Sequence, residues 1–248
     1  MQFRPPALDE ALYYKFKELS AMKKLTQVML ATGLISAAFA VSAQESPITA
    51  NVTLTSDYLY RGISQTSGGP AIQGGFDYVS ESGFYVGTWA SSITFDDSIE
   101  IDYYAGYAGS LTSEIGYDVG LLYYDYPGQS SDDFLEAYAV LTYGALSASV
   151  NYSDDFFAGV GKAAYATLDY GFDLGNDIGL NLHYGYQKFE HSVFGNSNDY
   201  SEYNVSLSKA FGGVDLTLTY SDTDLSDSDC GGSEDCSSTF VFSIGKSF

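Results

Sequence analysis

The chain has 248 residues and a formal net charge of −22, with 32 acidic side chains against 10 basic ones. This acidity excludes a nucleic-acid binder, because neutralising phosphates requires clustered lysine and arginine. Hydrophobic residues make up 45% and aromatic residues 16% of the sequence, which is enough apolar surface to exclude intrinsic disorder. The 23 tyrosines and 26 glycines indicate strands in which bulky side chains face small ones.

The N-terminal segment has the residue pattern of a signal peptide, which is cleaved from the chain during export. Residues 22–43 combine a lysine-rich start, an apolar run over residues 28–41 and small residues before Gln44, as a secretory signal peptide does. The apolar run is too short to span a membrane. Residues 1–21 precede this signal and are interpreted as an upstream mis-start. The mature domain is expected to be residues 44–248, with 5 basic and 29 acidic side chains.

Period-2 alternation of apolar and polar residues runs through the mature chain. Near its start, Val52 and Leu54 alternate with Thr53 and Thr55. Alternation of this kind gives each strand one apolar and one polar face. Twelve strands are predicted, over residues 51–61, 72–78, 84–91, 99–107, 117–123, 135–143, 146–152, 164–172, 178–186, 203–211, 214–220 and 240–248.

The connections between these strands distinguish a membrane barrel from a soluble sandwich. Short connections, near residues 81–83, 109–113, 144–145, 173–177 and 212–213, alternate with longer polar segments. Short turns at one end and longer loops at the other are typical of outer-membrane barrels, which close on themselves so that every backbone group in lipid is paired. The predicted fold is an all-β, transmembrane, antiparallel up-and-down β-barrel of twelve strands. A secreted soluble β-sandwich is the weaker alternative.

Aromatic residues cluster at the ends of the predicted strands, where a barrel has its interfacial girdles. The tyrosines expected there are Tyr58, Tyr60, Tyr107, Tyr126, Tyr143, Tyr152, Tyr170, Tyr186 and Tyr220. Lys209 and Lys246 share the apolar phase of their strands near the predicted periplasmic rim. From that position a long side chain can reach the lipid headgroups.

The last predicted strand ends in an aromatic residue. Phe240, Phe242, Ile244 and Phe248 share one phase, and Lys246 interrupts the apolar run. The pattern resembles the signal that the barrel-assembly machinery recognises by strand addition. That machinery is therefore an expected partner, together with the lipid and lipopolysaccharide of a bacterial outer membrane.

The first strands also resemble a known family. Residues 51–65 (Asn-Val-Thr-Leu-Thr-Ser-Asp-Tyr-Leu-Tyr-Arg-Gly-Ile-Ser-Gln) are similar to the first strand of the TorF family of porins. Residues 70–78, 83–91 and 101–107 are similar to that family too, and the rest of the chain matches it by pattern and length. The resemblance implies an outer-membrane location and a channel role, without naming the solute.

If the apolar phase of each strand faces lipid, the other phase faces the lumen. The charged residues expected to line it are Asp57, Arg61, Asp77, Glu100, Asp102, Asp118, Glu136, Asp169, Glu202 and Asp215. A wall lined with acidic side chains favours cations in a pore. The alternative is that these carboxylates merely contact water and have no role in selecting ions. Arg61 is expected to pair with Asp57, or else to neutralise the acidic wall at a constriction.

The width of the lumen limits this functional prediction. Twelve strands lie between the filled interior of an eight-stranded barrel and the aqueous channel of one with 16–18 strands. Tyr104, Tyr124, Tyr138 and Tyr165 fall in or near the inward phase and could narrow the bore. The predicted function is passive diffusion of small solutes with a cation preference. The alternative is a closed barrel with a structural or adhesin-like role at the surface.

Cysteine and histidine content bears on disulfides, metals and catalysis. Cys230 and Cys236 bracket Gly-Gly-Ser-Glu-Asp in the longest loop, and in an oxidising compartment they are expected to form a disulfide. The acidic residues of that loop leave loose calcium binding as an alternative. His183 and His191 lie in no triad-like pattern, and the sequence contains no nucleophile elbow, zinc-protease motif or phosphate loop. Neither catalysis nor a cofactor nor a metal is expected.

Overall fold

The computed structural model describes residues 47–248, so the predicted signal peptide and the residues before it lie outside the described part of the chain. Twelve antiparallel strands form a closed barrel. They are β1 (Ile48–Thr55), β4 (Ala71–Val79), β5 (Phe84–Ser92), β6 (Ile99–Ser110), β7 (Ile115–Asp125), β8 (Phe134–Tyr143), β9 (Leu146–Phe156), β10 (Gly161–Gly175), β11 (Ile178–Phe189), β12 (Asp199–Phe211), β13 (Val214–Thr223) and β14 (Thr239–Ser247). β1 pairs with β14 to close the barrel, with Asn51 opposite Ser247. The predicted fold class and strand number are confirmed, and the sandwich alternative is wrong.

Four short elements complete the described chain. A small hairpin of β2 (Leu59–Tyr60) and β3 (Ile63–Ser64) lies in the connection between β1 and β4. One-turn 3₁₀ segments occupy Asp96–Ser98 and Phe157–Gly159. Within residues 47–248, no helix has the length and apolar character needed to cross a membrane.

The outer face of the barrel is apolar and exposed. Phe76 on β4 is 63% exposed, Leu121 on β7 is 51% exposed and Phe242 on β14 is 50% exposed. Similar large apolar side chains project outward from each of the twelve strands. A contiguous apolar exterior of this extent is unfavourable in water. Together with a closed hydrogen-bond ladder, it is typical of barrels that span a bilayer.

The two ends of the barrel differ in their connections, as the sequence predicts. At one end the strands are joined by short turns, including Asn176-Asp177 and Gly212-Gly213. All four of these residues have positive φ, from 56° to 80°, which is the conformation that a two-residue hairpin turn requires. At the other end lie the longer connections, residues 56–70, 93–98, 126–133, 157–160, 190–198 and 224–238.

Several strands extend further toward the long loops than the alternation predicts. β12 begins at Asp199, whereas its apolar pattern begins at Tyr203, and β9 continues to Phe156 beyond the predicted end at Tyr152. The apolar phase marks only the part of a strand that faces lipid. Backbone pairing continues above that band, where outward residues are polar, so the hydropathy pattern underestimates the strand length.

Tyrosine and glycine face each other across neighbouring strands inside the barrel. Tyr104 on β6 lies opposite Gly87 on β5, and Tyr85 on β5 lies opposite Gly106 on β6. A Cβ atom on either glycine would overlap the facing ring. The absence of a side chain therefore lets each ring lie flat against the wall, which is the aromatic rescue of strand glycines. This is the pairing of bulky with small residues that the composition predicts.

The predicted girdle is confirmed for some tyrosines and wrong for others. Tyr107, Tyr143, Tyr152, Tyr170 and Tyr186 are exposed on the outer face. By contrast, Tyr58 and Tyr126 are 3% and 4% exposed, and the Tyr60 ring packs edge-on against inward-facing Tyr124 with 5.8 Å between ring centroids. These three lie beyond the strand ends or in the small hairpin, where strand alternation no longer determines which way a side chain points.

Candidate functional site

The inner face of the barrel carries the predicted strand carboxylates. Glu100 and Asp102 on β6, and Glu136 on β8, are at most 1% exposed. The other members of the set also lie in the inward phase of their strands, at Asp77, Asp118, Asp169, Glu202 and Asp215. The inner wall therefore carries acidic residues from seven different strands. The four lysines of residues 47–248, Lys162, Lys188, Lys209 and Lys246, are exposed.

The connection between β1 and β4, residues 56–70, folds back into the barrel; we call it the inward segment. The phenol of Tyr58 donates to Glu100 Oε1 across 2.6 Å. Gly62 of the inward segment has a φ of +81°. It lies so close to Glu202 and Thr223 that a Cβ atom on it would overlap both side chains. The segment thereby contacts β6, β12 and β13, which lie on different sides of the wall. It occupies the loop end of the lumen.

Arg61, at the tip of the inward segment, is bound to the opposite wall. Its Nη2 donates to Glu136 Oε1 and Oε2 across 2.8 and 2.6 Å, and its Nη1 donates to Gln187 Oε1 across 2.6 Å. The guanidinium carbon lies 4.2 Å from the ring centroid of Tyr165. The Arg61 side chain is only 6% exposed. Charge-assisted hydrogen bonds and cation–π contact together compensate its burial.

The expected pairing of Arg61 with Asp57 is wrong. Asp57 lies in the inward segment just after β1, where its Oδ1 accepts hydrogen bonds from Ser64 and Thr66 at 2.6 and 2.7 Å. A positive φ of 50° at Arg61 turns the chain away from the line of β1. The arginine therefore reaches across the lumen to Glu136, and the alternative expectation, neutralisation of the acidic wall, describes the structure.

Three of the buried carboxylates near the inward segment, Glu100, Asp102 and Glu136, have different surroundings. Glu100 accepts hydrogen bonds from the phenols of Tyr58 and Tyr126, both across 2.6 Å. Glu136 is paired with Arg61. Asp102 interacts electrostatically with both glutamates, and among the described residues neither of its carboxylate oxygens has a hydrogen-bond donor. Within residues 47–248, Asp102 is thus the buried carboxylate of which both oxygens lack a hydrogen-bond donor.

A second polar cluster lies on β10, β11 and β12. The His183 ring bridges two carboxylates, with Nδ1 2.8 Å from Asp169 Oδ1 and Nε2 2.8 Å from Glu202 Oε1. The Tyr165 phenol donates to the same glutamate. The sequence places His183 in the inward phase, but its two partners are 14 and 19 residues away along the chain. Their convergence follows from the strand register, which the alternation alone does not determine.

The lumen is packed at the loop end and more accessible at the turn end. Gln187, which binds Arg61, is 1% exposed, and Tyr124 is fully buried. Near the short turns, by contrast, Asp118 and Asp215 are only half-buried. Of the tyrosines expected to narrow the bore, Tyr124, Tyr138 and Tyr165 are buried on the inner face and Tyr104 is half-buried there. The inward segment and these rings together fill part of the lumen.

The loop between β13 and β14 covers the inward segment and carries the predicted disulfide. Cys230 and Cys236 are bonded, with their Cα atoms 6.3 Å apart. The backbone N–H of Ser64 donates to the Asp235 carbonyl across 2.8 Å, which joins the two loops. Hydrogen bonds from the hydroxyl and N–H of Ser226 hold the pKa of Asp229 below its usual value. Serine hydroxyls thus donate to three acidic side chains of this loop, Asp227, Asp229 and Asp235.

The comparisons with known proteins agree with this fold. The KdgM porin matches with a TM-score of 0.53 and 13% identity over 81% of this chain and 98% of its own. A NanC porin structure matches with a TM-score of 0.50 and 11% identity over 80% and 97%. The structure of KdgM porin in complex with disordered oligogalacturonate matches with a TM-score of 0.50 and 12% identity, over 81% of this chain and 97% of its own. At these identities the likeness is one of fold, and the fold of this chain is a closed antiparallel barrel of twelve strands.

The family is given by the sequence itself. The chain belongs to the family described as "Bacterial protein of unknown function (Gcw_chp)", whose sequence profile matches residues 40–248. The family name TorF is not confirmed by this match. A comparison with curated proteins finds no significant match.

Proposed function

We propose that this protein is an outer-membrane channel of the porin type, through which small solutes diffuse with a preference for cations. The observation that carries the proposal is the excess of acidic side chains on the inner wall. Eight strand carboxylates share the inward phase, whereas the basic side chains facing them within residues 47–248 are Arg61 and His183. Rings of acidic side chains favour cations in a pore. Transport needs no catalytic residue.

The charge of the wall also bears on the class of solute. One solved structure of similar fold is KdgM porin in complex with an oligogalacturonate, which is a polyanion. The wall described here would repel a chain of carboxylates, because like charges at close distance in a poorly solvated lumen interact strongly. We therefore propose small neutral or cationic solutes as the cargo, rather than acidic oligosaccharides.

The test is single-channel recording of the folded protein in a planar bilayer under a KCl gradient. A cation-selective reversal potential is expected. Neutralising Glu136 in the Glu136→Gln variant should move that potential toward zero, because Arg61 then faces the lumen uncompensated. Asp155→Asn removes an exposed charge on the loop side of β9 and serves as the matched control. Steady conductance with anion selectivity would refute the cation preference.

A closed barrel with a surface role is the second candidate, and the inward segment favours it. Arg61 and Glu136 are both buried where the segment meets the wall, and a segment held in this way could seal the lumen. In that case the protein would insert into bilayers as a heat-modifiable barrel and never conduct. The recording described above therefore decides between the two candidates.

The location and assembly partners follow from the same proposal. We propose export through the signal peptide of residues 22–43 and assembly in the outer membrane, surrounded by lipid and lipopolysaccharide. The outward residues of β14, Phe240, Phe242 and Ile244, and the terminal Phe248 are exposed and form the proposed signal for the barrel-assembly machinery. Deleting Phe248 is expected to reduce the amount of folded barrel in outer-membrane fractions, whereas Phe84→Leu on another strand should not.

A further inference from the structure

The loop between β13 and β14, residues 224–238, is bonded both to the inward segment and to the barrel wall; we call it the cap loop. The N–H of Ser64, on β3 of the small hairpin, donates to the Asp235 carbonyl across 2.8 Å. The hydroxyl of Thr223, the last residue of β13, donates to the carbonyl of Cys236 across 2.9 Å. Two consecutive residues of the cap loop therefore connect the inward segment to the wall.

The same wall residue contacts the tip of the inward segment. A Cβ atom on Gly62 would lie 2.7 Å from the methyl carbon of Thr223. The residue before it, Arg61, is bound to Glu136 on β8. The turn at the tip is thus held from β8 through the arginine and from β13 through Thr223, where Cys236 is attached.

The disulfide is the strongest constraint on the shape of the cap loop. The loop contains no basic residue, one large apolar residue, Leu225, and five carboxylates, Asp224, Asp227, Asp229, Glu234 and Asp235. A segment of this composition repels itself and has too little apolar surface to fold alone. The bond between Cys230 and Cys236 restricts the conformations of the residues between them. Asp235, which accepts from the inward segment, is one of these residues.

A cavity of about 430 Å³ at the loop end leads to the disulfide. Its lining includes Ile63 of the inward segment, Phe194 of the connection between β11 and β12, and both cysteines. Cys230 is half-buried, whereas Cys236 is 1% exposed. A small thiol in this cavity therefore reaches Cys230 more readily than Cys236.

We propose that the Cys230–Cys236 disulfide is a redox-sensitive latch that holds the inward segment in the lumen, and that a small dithiol opens it. A thiolate of the dithiol attacks Cys230 Sγ, the S–S bond breaks, and Cys236 leaves as a thiolate that takes up a proton. The second thiolate of the dithiol then displaces Cys230, which is protonated in turn, and the reagent becomes a disulfide. The protein thus gains two electrons and two protons, and the dithiol loses them.

Reduction releases the constraint on Asp235, so the cap loop separates from Ser64 and the inward segment leaves the loop end of the lumen. The latch deepens the proposed function, because it names a chemical signal that widens the bore. Only the effect on conductance rests on the channel itself. The position of the inward segment is measured independently of any current.

The experiment uses trypsin, because Arg61 is the one basic residue of the inward segment. In the folded full chain the Arg61–Gly62 bond is expected to be protected, since the Arg61 side chain is 6% exposed. The protein is reduced with dithiothreitol and alkylated with iodoacetamide, and both reagents are removed before trypsin is added. The rate at which a new N-terminus appears at Gly62 should rise about tenfold, because proteolysis follows the population of the opened form.

Two lysines and one variant serve as controls. Lys162 and Lys188 lie on β10 and β11, outside the inward segment, and cleavage after them should be unchanged by reduction. In Gly62→Ala the added Cβ displaces the tip from Thr223, so Arg61 should be cleaved although the disulfide is intact. Equal protection of Arg61 before and after reduction would overturn the proposal. Equal acceleration at Arg61 and at both lysines would overturn it too, because it would indicate general loosening of the barrel.

The double variant Cys230→Ser with Cys236→Ser reaches the open state without any reagent. Its cleavage at Arg61 should match that of the reduced wild type, and dithiothreitol should not change it. Protection of Arg61 in this variant would overturn the latch. If the variant does not fold, reduction of wild-type protein that has folded with its disulfide still decides.

Single-channel recording separates the latch from the channel. In a conducting barrel, dithiothreitol added on the side of the long loops should raise the conductance of the wild type but not that of the double variant. Faster cleavage at Arg61 in a barrel that never conducts would support the latch and refute the channel. Steady conductance that reduction does not change, with Arg61 still protected, would leave the channel and overturn the latch.

Discussion

Arg61 is held inside the barrel by interactions of three kinds. Its guanidinium binds both carboxylate oxygens of Glu136, donates to Gln187 and stacks on Tyr165. A planar, permanently charged fork suits this combination better than an ammonium group would. Glu136 is 1% exposed. Removing either partner of the pair is therefore destabilising, because the other charge would remain buried without an opposite charge.

Replacing Arg61 by alanine is expected to lower the free energy of unfolding by about 3–5 kcal/mol, because Glu136 is then buried without compensation. The measurement is equilibrium unfolding in urea with the protein in lipid vesicles. In the double variant Arg61→Ala with Glu136→Gln, part of the loss should be recovered, since the orphaned charge is gone. Arg61→Lys should fall between the wild type and the alanine variant. Equal losses in the single and double variants would contradict this account.

Gly106 tests the tyrosine–glycine pairing. A Cβ atom at this position would overlap the ring of Tyr85 and approach the Val119 carbonyl. Gly106→Ala is expected to destabilise the barrel by about 1–3 kcal/mol, as overpacking does elsewhere. The matched control is Gly179→Ala, whose Cβ would meet only the Ser208 hydroxyl, which can rotate away. The midpoint of thermal unfolding, followed by gel mobility, should fall for the first variant much more than for the second.

At the residue scale, the sequence predicts on which face of the barrel wall a side chain lies, but not which residue it contacts. Period-2 alternation places Asp102 and Glu136 on the inner wall, and both are there. The partner of Glu136 lies 75 positions away along the chain, and it is selected by the path of a loop. No local pattern encodes that path, so the pairing of Arg61 with nearby Asp57 was the natural prediction and is wrong.

At the element scale, the first strand shows where alternation misleads. β1 ends at Thr55, although the apolar phase continues through Tyr58 and Tyr60. Those two rings instead pack against other aromatic rings inside the barrel. An aromatic side chain can be buried there as well as in lipid. The turn residues Arg61 and Gly62, with φ of 50° and 81°, are the local signal for the inward segment. A Tyr-Arg-Gly sequence alone does not say which way the chain turns.

The inward segment is expected to limit conductance. Replacing residues 57–66 by a short glycine–serine linker removes Arg61 and Tyr58 from the loop end of the lumen. Single-channel conductance should rise severalfold, because the side chains that pack against Glu136 and Glu100 are absent. The control shortens residues 191–197, which are mostly exposed at the rim, and should leave conductance unchanged. Identical conductance in both variants would show that the constriction lies elsewhere in the barrel.

At the scale of the whole molecule, the lysines of the strands lie on the outer face of the wall, whereas acidic residues lie on both faces. Lys162, Lys188, Lys209 and Lys246 are exposed, whereas the strand carboxylates of the proposed pore lie inside. A channel lined by one sign of charge with low-dielectric walls focuses its field and raises the local concentration of counter-ions. The sequence predicts that these carboxylates lie inside and the lysines outside, because the position of a residue in the alternation of its strand determines which face it is on. It does not predict how tightly the loop end is packed, because that depends on where a single connection folds.

A field of this kind is sensitive to salt, whereas a single binding site is less so. The Debye length shrinks from about 10 Å at 0.1 M to about 3 Å at 1 M ionic strength. If the whole inner wall produces the selectivity, the reversal potential at a fixed KCl ratio should fall toward zero as both solutions are raised between these limits. In Asp102→Asn the low-salt potential should persist in part, because carboxylates such as Asp118 and Asp215 remain. A potential that is independent of salt and abolished by Asp102→Asn would assign the selectivity to that residue alone and not to the wall.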